Sequence, residues 1–231
     1  MNYLNRYLDW DSSFYGKKIY RIDIESEFEI KAIVKHASRL DFDLAYLFSK
    51  EKLNVSDSDS FFLADEKVIF YKEIKQSNLV DKLNDHIFFT SNLTDSLLEL
   101  ALISGSFSRF NIDKNLQPKF KELYSTWIEK SISRELASDV LVYKIENNEV
   151  GFITIKKNGG NGIIGLVAVN PDYHGRNIGS VLINSIENWC LKNDVSELEV
   201  ATQLSNKQAC AFYKKNDFKI KEVQYIYHYY K

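Results

Sequence analysis

The sequence predicts a mixed α/β fold, with a small α/β unit at the N-terminus and a larger one behind it. Three observations carry this expectation. From residue 87 onward, strand-like and helix-like stretches follow one another in the order β-α-α-β-β-β-α-β-α-β-β. The apolar run "GLVAV" passes through "NPDYHGRN" straight into an amphipathic stretch, which is the strand–loop–helix junction of an α/β unit. No repeat, low-complexity tract or Pro/Gly-rich linker breaks the pattern.

The elements read as follows. Residues 17–24 form a strand, and residues 27–38 place Phe28, Ile30, Ile33, Val34 and Ala37 on roughly one helical face. Strands follow at 43–49, 60–64 and 67–74, where "FFLADEKVIFYKEIK" reads as strand–turn–strand. The polar stretch "EIKQSNLVDKLNDH" marks a boundary, giving an N-terminal domain over 1–86 and a second domain over 87–231. There "IFFTS" is a strand, and "LTDSLLELALISG" is a helix with Gly105 as its stop signal. Residues 118–133 form a second helix, with Phe120, Leu123, Trp127, Ile128 and Ile132 at helical spacing. "DVLVYKIENNEVGFITIKK" is a hairpin, and Asn147-Asn148 suits its turn. "NGGN" turns the chain into "GIIGLVAV", and the next helix carries Ile178, Val181, Leu182, Ile186, Trp189 and Cys190 on one face. "SELEVATQ" (strand), residues 206–215 (helix), and the strands "DFKIKEV" and "QYIYHYY" complete the chain.

Composition narrows the function. Lys and Arg total 30 against 32 Asp and Glu, and the resulting net charge of −2 disfavours sequence-independent nucleic-acid binding. No apolar run approaches the ~20 residues that span a bilayer, and the first residues lack an apolar signal core, so no membrane partner is expected. Cys190 and Cys210 fall in helical patterns and form no disulfide framework, which points to a cytoplasmic protein. His36, His86, His174 and His228 show no metal-site spacing, so no metal is expected.

The junction "AVNPDYHGRNIGSVL" is the most informative stretch. At the start of a helix the first backbone N–H groups have no intrahelical partner and the macrodipole is positive. Gly175 and Gly179 would let an anion approach the backbone, Asn177 tolerates positive φ, and Arg176 adds a cation. The reading is a phosphate or pyrophosphate cradle; an ordinary tight turn explains the same residues. Neither the Walker nor the Rossmann glycine pattern is present.

Strand order and this loop together resemble the GCN5-related N-acetyltransferase (GNAT) fold, a mixed central sheet, over residues 87–231. His174, Gly175, Arg176, Asn177, Ile178 and Gly179 stand where that family carries R/Q-x-x-G-x-G/A. His174 replaces the first Arg or Gln, and Asn177 replaces the first Gly. "SNKQACAFYKKNDF" is similar to the family's N-x-x-A-x-x-F-Y-x-x-x-G-F, with Asn206, Ala209, Phe212, Tyr213 and Phe218 matching and Asp217 in place of Gly. Ser205 and Gln208 could alternatively form a capping box there. The stretches "WDSSFYGKKIYRI", "ALISGSFSRFNID", "LYSTWIEKSISRELASDVLV" and "ATQLSNKQACAFY" occur in that order. They look like the branch of the family that acetylates dTDP-linked 4-amino-4,6-dideoxy sugars.

The resemblance implies an enzyme, an N-acetyltransferase, with acetyl-CoA as co-substrate, direct attack of a sugar amine on the thioester, and a homodimer. It implies that Leu166, Val167, Ala168 and Val169 line the pantetheine and acetyl group. Gly175 to Ser180, with His174, would hold the pyrophosphate, and Asn206, Ala209 and Phe212 would complete the cofactor site. Lys207, Lys214 and Lys215 could meet the 3′-phosphate or form a solvated face. Tyr213 would be the acid that protonates the departing thiolate, since a phenol of ordinary pKa ~10 keeps its proton at neutral pH. For the acceptor, Arg109 could bind a diphosphate, Phe110 or Trp127 could stack on the base or pack on the sugar methyl, and Ser131 could bond a hydroxyl. The general base stays open among Glu197, Glu199, His228, the Tyr225, Tyr227 and Tyr229 run, and a water chain. Other amines (a protein N-terminus, a polyamine) and a non-catalytic acetyl-CoA sensor stay open as alternatives.

Overall fold

A computed structural model describes residues 6–25, 30, 32, 33, 35, 41–54, 58, 60–75 and 84–231. Of the helix expected over 27–38, Ile30, Ala32, Ile33 and Lys35 are helical; Phe28, Val34 and Ala37 lie outside the described residues, as does most of the expected boundary stretch.

The described strands are β1 (Arg6–Tyr7), β2 (Ile19–Asp23), β3 (Leu44–Ser49), β4 (Phe61–Glu73), β5 (Ile87–Phe89), β6 (Asp139–Ile145), β7 (Asn148–Asn158), β8 (Asn161–Val169), β9 (Glu197–Gln203) and β10 (Lys219–Tyr230). They form a mixed ten-stranded sheet in the order β1-β2-β3-β10-β4-β9-β8-β7-β6-β5. The α-helices that lie wholly within the described residues are α1 (Asp9–Tyr15), α2 (Asp95–Ser104), α3 (Arg109–Ile112), α4 (Phe120–Ile132), α5 (Ile178–Lys192) and α6 (Lys207–Lys215). One core, with Leu97, Leu100, Leu123, Ile128 and Phe152, packs α2 and α4 on the sheet. A second, with Ile153, Leu182, Ile186, Leu198 and Tyr213, packs α5 and α6. A third gathers Ile30, Ile33, Leu47, Phe61 and Tyr227.

Several local expectations need correction. "FFLADEKVIFYKE" is one continuous strand, not strand–turn–strand, because Asp65 and Glu66 stay in ladder register opposite Ile226 and Tyr225. The C-terminal stretch is likewise one strand, kept continuous by irregularities between Ile220 and Glu222 and between Ile226 and Tyr227. The hairpin turn uses Glu146 (φ 50°) and Asn147 (φ 68°), one residue earlier than expected, and both have the positive φ of a tight hairpin turn. Gly105 ends α2 with φ −93°, so no left-handed conformation demands it; a Cβ there would lie 2.2 Å from Tyr124 Cζ, so packing does. Helices α1 and α3 were not expected as separate elements.

The architecture positions the site in two ways. Strands β8 and β9 pair in parallel only from Asn161↔Glu197 to Ile164↔Val200, and beyond that point they part. The fork leaves Gly165–Val169 and Ala201–Gln203 facing an opening. A bulge in β8 marks the same place: Ile153 pairs Val167 while Ile155 pairs Ile164. The N–H of Leu166 at the bulge donates to Thr154 Oγ1 at 2.8 Å. Second, β4 sits between β9 and β10, so strands from before and after residue 86 interleave in one sheet.

Candidate active site

Two cavities open at the fork. The first, of about 370 Å³, lies over the start of α5 and the adjacent face of α6. Val167, Ala168 and Val169 line it from β8, and His174, Gly175, Asn177, Ile178, Gly179 and Ser180 from the loop and first turn of α5. Asn206, Ala209, Phe212, Tyr213 and Lys215 line it from α6. The second, of about 260 Å³, lies on the α2–α4 side and contains Asp65, Lys67, Arg109, Phe110, Tyr124, Trp127, Leu166 and Gln203. Ser104, Val167, Asn206, Ala209 and Tyr213 line both cavities, which therefore meet at Tyr213.

The first cavity has the features of an anion cradle. Asn177 adopts φ 61° as N-cap of α5, and its side chain makes no capping bond. The first N–H groups of a 15-residue helix therefore face the cavity without a side-chain partner. Gly175 has φ 77° with open space around it. His174 Nε2 donates to Val169 O at 2.9 Å, and its Nδ1 accepts from Gln208 Nε2 at 3.3 Å. These bonds tie the loop to the end of β8 and to α6.

On α6 the alternative of a Ser205 capping box does not form: Asn206 is the N-cap, and its Oδ1 accepts from Ala209 N–H at 3.0 Å. Asn206 lines both cavities. Two residues past the end of α6, Asp217 stands in the left-handed conformation, φ 64°, at the position where the family pattern carries Gly. Tyr213 is 3% exposed, its ring packed against Phe70, Phe212 and Phe218. Burial pushes its phenol well above the ordinary tyrosine range, so it holds its proton.

The second cavity is a charged pocket. Arg109 stacks over Tyr46 (4.8 Å) and Phe110 (4.3 Å), and its Nε is buried without a partner. Phe110 meets Trp127 edge to face at 5.5 Å. Asp65 is 6% exposed; Oδ2 accepts from Gln203 Nε2 at 3.5 Å, and Oδ1 has no partner. Burial, opposed by Arg109, pushes its carboxyl up to about 6. Burial and the nearby Arg109 push Lys67 down.

The fork thus brings together most of the residues singled out from the sequence, but not all. Leu166 faces the second cavity, and its N–H is held by Thr154. Arg176 is exposed and stacks over Tyr173 at 4.9 Å instead of lining the cradle. Ser131 is buried inside α4, donating to Trp127 O at 2.7 Å. Lys207 and Lys214 line neither cavity.

The expected bases lie elsewhere too. Glu197 and Glu199 bind Lys221 at 2.7 and 2.6 Å. His228 is fully buried with Nδ1 2.5 Å from Asp113 Oδ2, and burial pushes it down to about 4. Tyr225, Tyr227 and Tyr229 line neither cavity. Sequence reasoning missed Asp65, Lys67, Gln203, Ser104 and Phe107. The acids in "LADEK" looked like turn residues, and only the strand register turns Asp65 inward.

Residues 106–218 match the model of the acetyltransferase (GNAT) family. This chain carries a GNAT acetyltransferase domain. Streptothricin acetyltransferase A of Bacillus subtilis (strain 168) is 32% identical over 103 residues, covering 44% of this chain and 60% of that protein. The dTDP-fucosamine acetyltransferase of Escherichia coli O6:H1 is 23% identical over 224 residues, 94% of each chain. Among solved structures, the PaiA N-acetyltransferase of Thermoplasma acidophilum in complex with coenzyme A shares the fold, with a TM-score of 0.50 and 21% identity over 63% of this chain and 99% of that one. No helix among the described residues is long and apolar enough to cross a membrane. The uncapped start of α5, Gly175 and the apolar wall of β8 are features of the GNAT domain that suit a long ligand bearing a pyrophosphate.

Proposed function

We propose that this GNAT protein is an acetyl-CoA-dependent N-acetyltransferase acting on the 4-amino group of a dTDP-linked 4-amino-4,6-dideoxyhexose. The carrying observation is that a cavity over the uncapped start of α5 and a second, charged cavity meet at one protonated phenol, Tyr213. Acetyl-CoA supplies the acetyl thioester. The start of α5 holds its pyrophosphate, β8 aligns the pantetheine, and Asn206 and Val167 flank the junction where the two substrates meet. Holding both substrates there provides proximity and orientation. Tyr213 donates its proton to the sulfur as the C–S bond breaks.

The sugar nucleotide as acceptor is supported by the full-length similarity to dTDP-fucosamine acetyltransferase. Arg109 and Lys67 in the acceptor pocket suit a diphosphate, and the Phe110–Trp127 pair offers an apolar wall to a deoxy sugar. The similarity to streptothricin acetyltransferase A favours a second reading, acetylation of another amine, although Arg109 and Lys67 would repel a polycation.

Thiol release from acetyl-CoA tests the proposal with four amines: dTDP-4-amino-4,6-dideoxygalactose, its gluco epimer, spermidine and a short peptide. Release with one sugar nucleotide supports it and names the epimer. Release with spermidine or peptide alone overturns the acceptor.

A further inference from the structure

We infer that Asp65 is the group that takes the proton from the acceptor amine. The inference rests on the acetyl-transfer reading above. An amine that enters as an ammonium has no lone pair to attack a thioester, so a base is needed inside the acceptor pocket. Among the described residues lining that pocket, Asp65 is the one carboxylate. It is more than nine-tenths buried, it forms no salt bridge with any of the described residues, and among them its buried Oδ1 has no hydrogen-bond partner. Burying a carboxylate without an ion pair destabilises a fold, and groups kept so are concentrated at functional sites.

The charged and titratable groups around Asp65 come from three elements. Lys67 and Glu66 are on its own strand, Arg109 is on α3, and Tyr124 is on α4. Burial pushes the carboxyl up to about 6, opposed chiefly by Arg109. At neutral pH it is therefore ionised, yet a better base than an ordinary aspartate. Gln203, at the open end of β9, fixes one oxygen and leaves the other for the amine.

The protons balance as follows. The ammonium gives one proton to Asp65, and the freed lone pair forms the N–C bond to the acetyl carbon. The C–S bond breaks, and sulfur takes the phenol proton of Tyr213. The second proton lost by nitrogen restores Tyr213 through solvent, and Asp65 releases its own proton to solvent. The net yield is amide, free thiol and one proton. The base comes from β4, so the active centre draws on the N-terminal part of the chain as well as on residues 106–218.

The test uses the full chain and whichever amine of the panel the wild type acetylates, so a wrong acceptor leaves it intact. Asp65→Asn should lower kcat ~100-fold or more at pH 7 while acetyl-CoA affinity stays unchanged. The loss of wild-type kcat/KM below about pH 6 should disappear in the variant, whose rate should instead rise as the amine loses its proton in solution. Calorimetry of amine binding without acetyl-CoA, in buffers of different ionisation heat, gives a readout independent of turnover. At pH 6 the wild type should release roughly half a proton, because binding an ammonium completes the ionisation of Asp65, and Asp65→Asn should release none. Equal proton release by both proteins, or Asp65→Asn turnover within threefold of wild type with the acid limb intact, would overturn the inference.

Discussion

Phe212 lies where a side chain on Gly179 would have to go: a Cβ built on that glycine falls 2.9 Å from Phe212 Cε2. The glycine lets the first turn of α5 and the middle of α6 touch, and both line the first cavity. Gly179→Ala should push Phe212 out of position. The expected result is acetyl-CoA binding weakened ~10-fold and stability reduced by ~1–3 kcal/mol, the usual range for overpacking. Calorimetric titration and urea denaturation check the two effects; unchanged affinity would show that the contact is not needed to shape the cradle.

The sequence also assigns Gly179 to this junction, but for a different reason. The left-handed backbone at Gly175 (φ 77°) calls for a glycine there, with nothing within 4 Å of a Cβ, whereas the ring of Phe212 explains Gly179. The motif positions were legible because the αL residues and helix stop are local: Asn177 and Asp217 adopt positive φ, as their residue types allow. What escaped was long-range. Asp65 and Gln203 lie far apart in sequence and meet because β4 inserts beside β9. Ser131 points into the packing of its own helix instead of a pocket, a matter of helix rotation that spacing alone left open.

Tyr213→Phe removes one hydroxyl and keeps the ring that packs on Phe70 and Phe218. The fold and acetyl-CoA affinity should be preserved. Turnover should fall ~100-fold, within the range for losing a general acid.

Asp65 makes the folded state pH-sensitive in a definite direction. Its carboxyl is pushed up to about 6 from the 3.8 of an unperturbed aspartate. Below pH 4 the folded and unfolded chains both hold the proton. As pH rises from about 4 to 6, the unfolded chain loses it first, so this group progressively destabilises the fold and does so fully above about 6. Asp65→Asn should therefore be more stable than wild type at pH 8, by ~1–3 kcal/mol, with no such gain at pH 4. Urea denaturation of both proteins at the two pH values checks this; a variant less stable at pH 8 contradicts it.

Arg109→Gln keeps a polar side chain but removes the charge over Tyr46 and Phe110. For a nucleotide-sugar acceptor, KM should rise ~10–100-fold, in line with losing a charge-assisted hydrogen bond, while acetyl-CoA affinity is unaffected. A KM unchanged for the sugar nucleotide would remove Arg109 from the acceptor site.

The expected division at residue 86 separates β4 from β9 and β10, its hydrogen-bonded neighbours. We propose that residues 87–231 do not fold alone, because β9 would lose its partner β4 and expose an edge, and β10 would lose both of its partners, β3 and β4. Expression of that fragment should give aggregated or unfolded protein by circular dichroism; a soluble, cooperatively folding fragment would establish it as an independent domain.

The two cavities meet at Tyr213, and we propose that an acetyl group passes between them there. Thiol release by the wild type and Tyr213→Phe, measured beside acetyl-CoA binding by each, tests it most directly. Equal binding is expected, with release by the wild type on a dTDP-linked amino sugar and release at least ~100-fold slower by the variant. Equal rates from both proteins, or tight acetyl-CoA binding with no release for any amine, would contradict it.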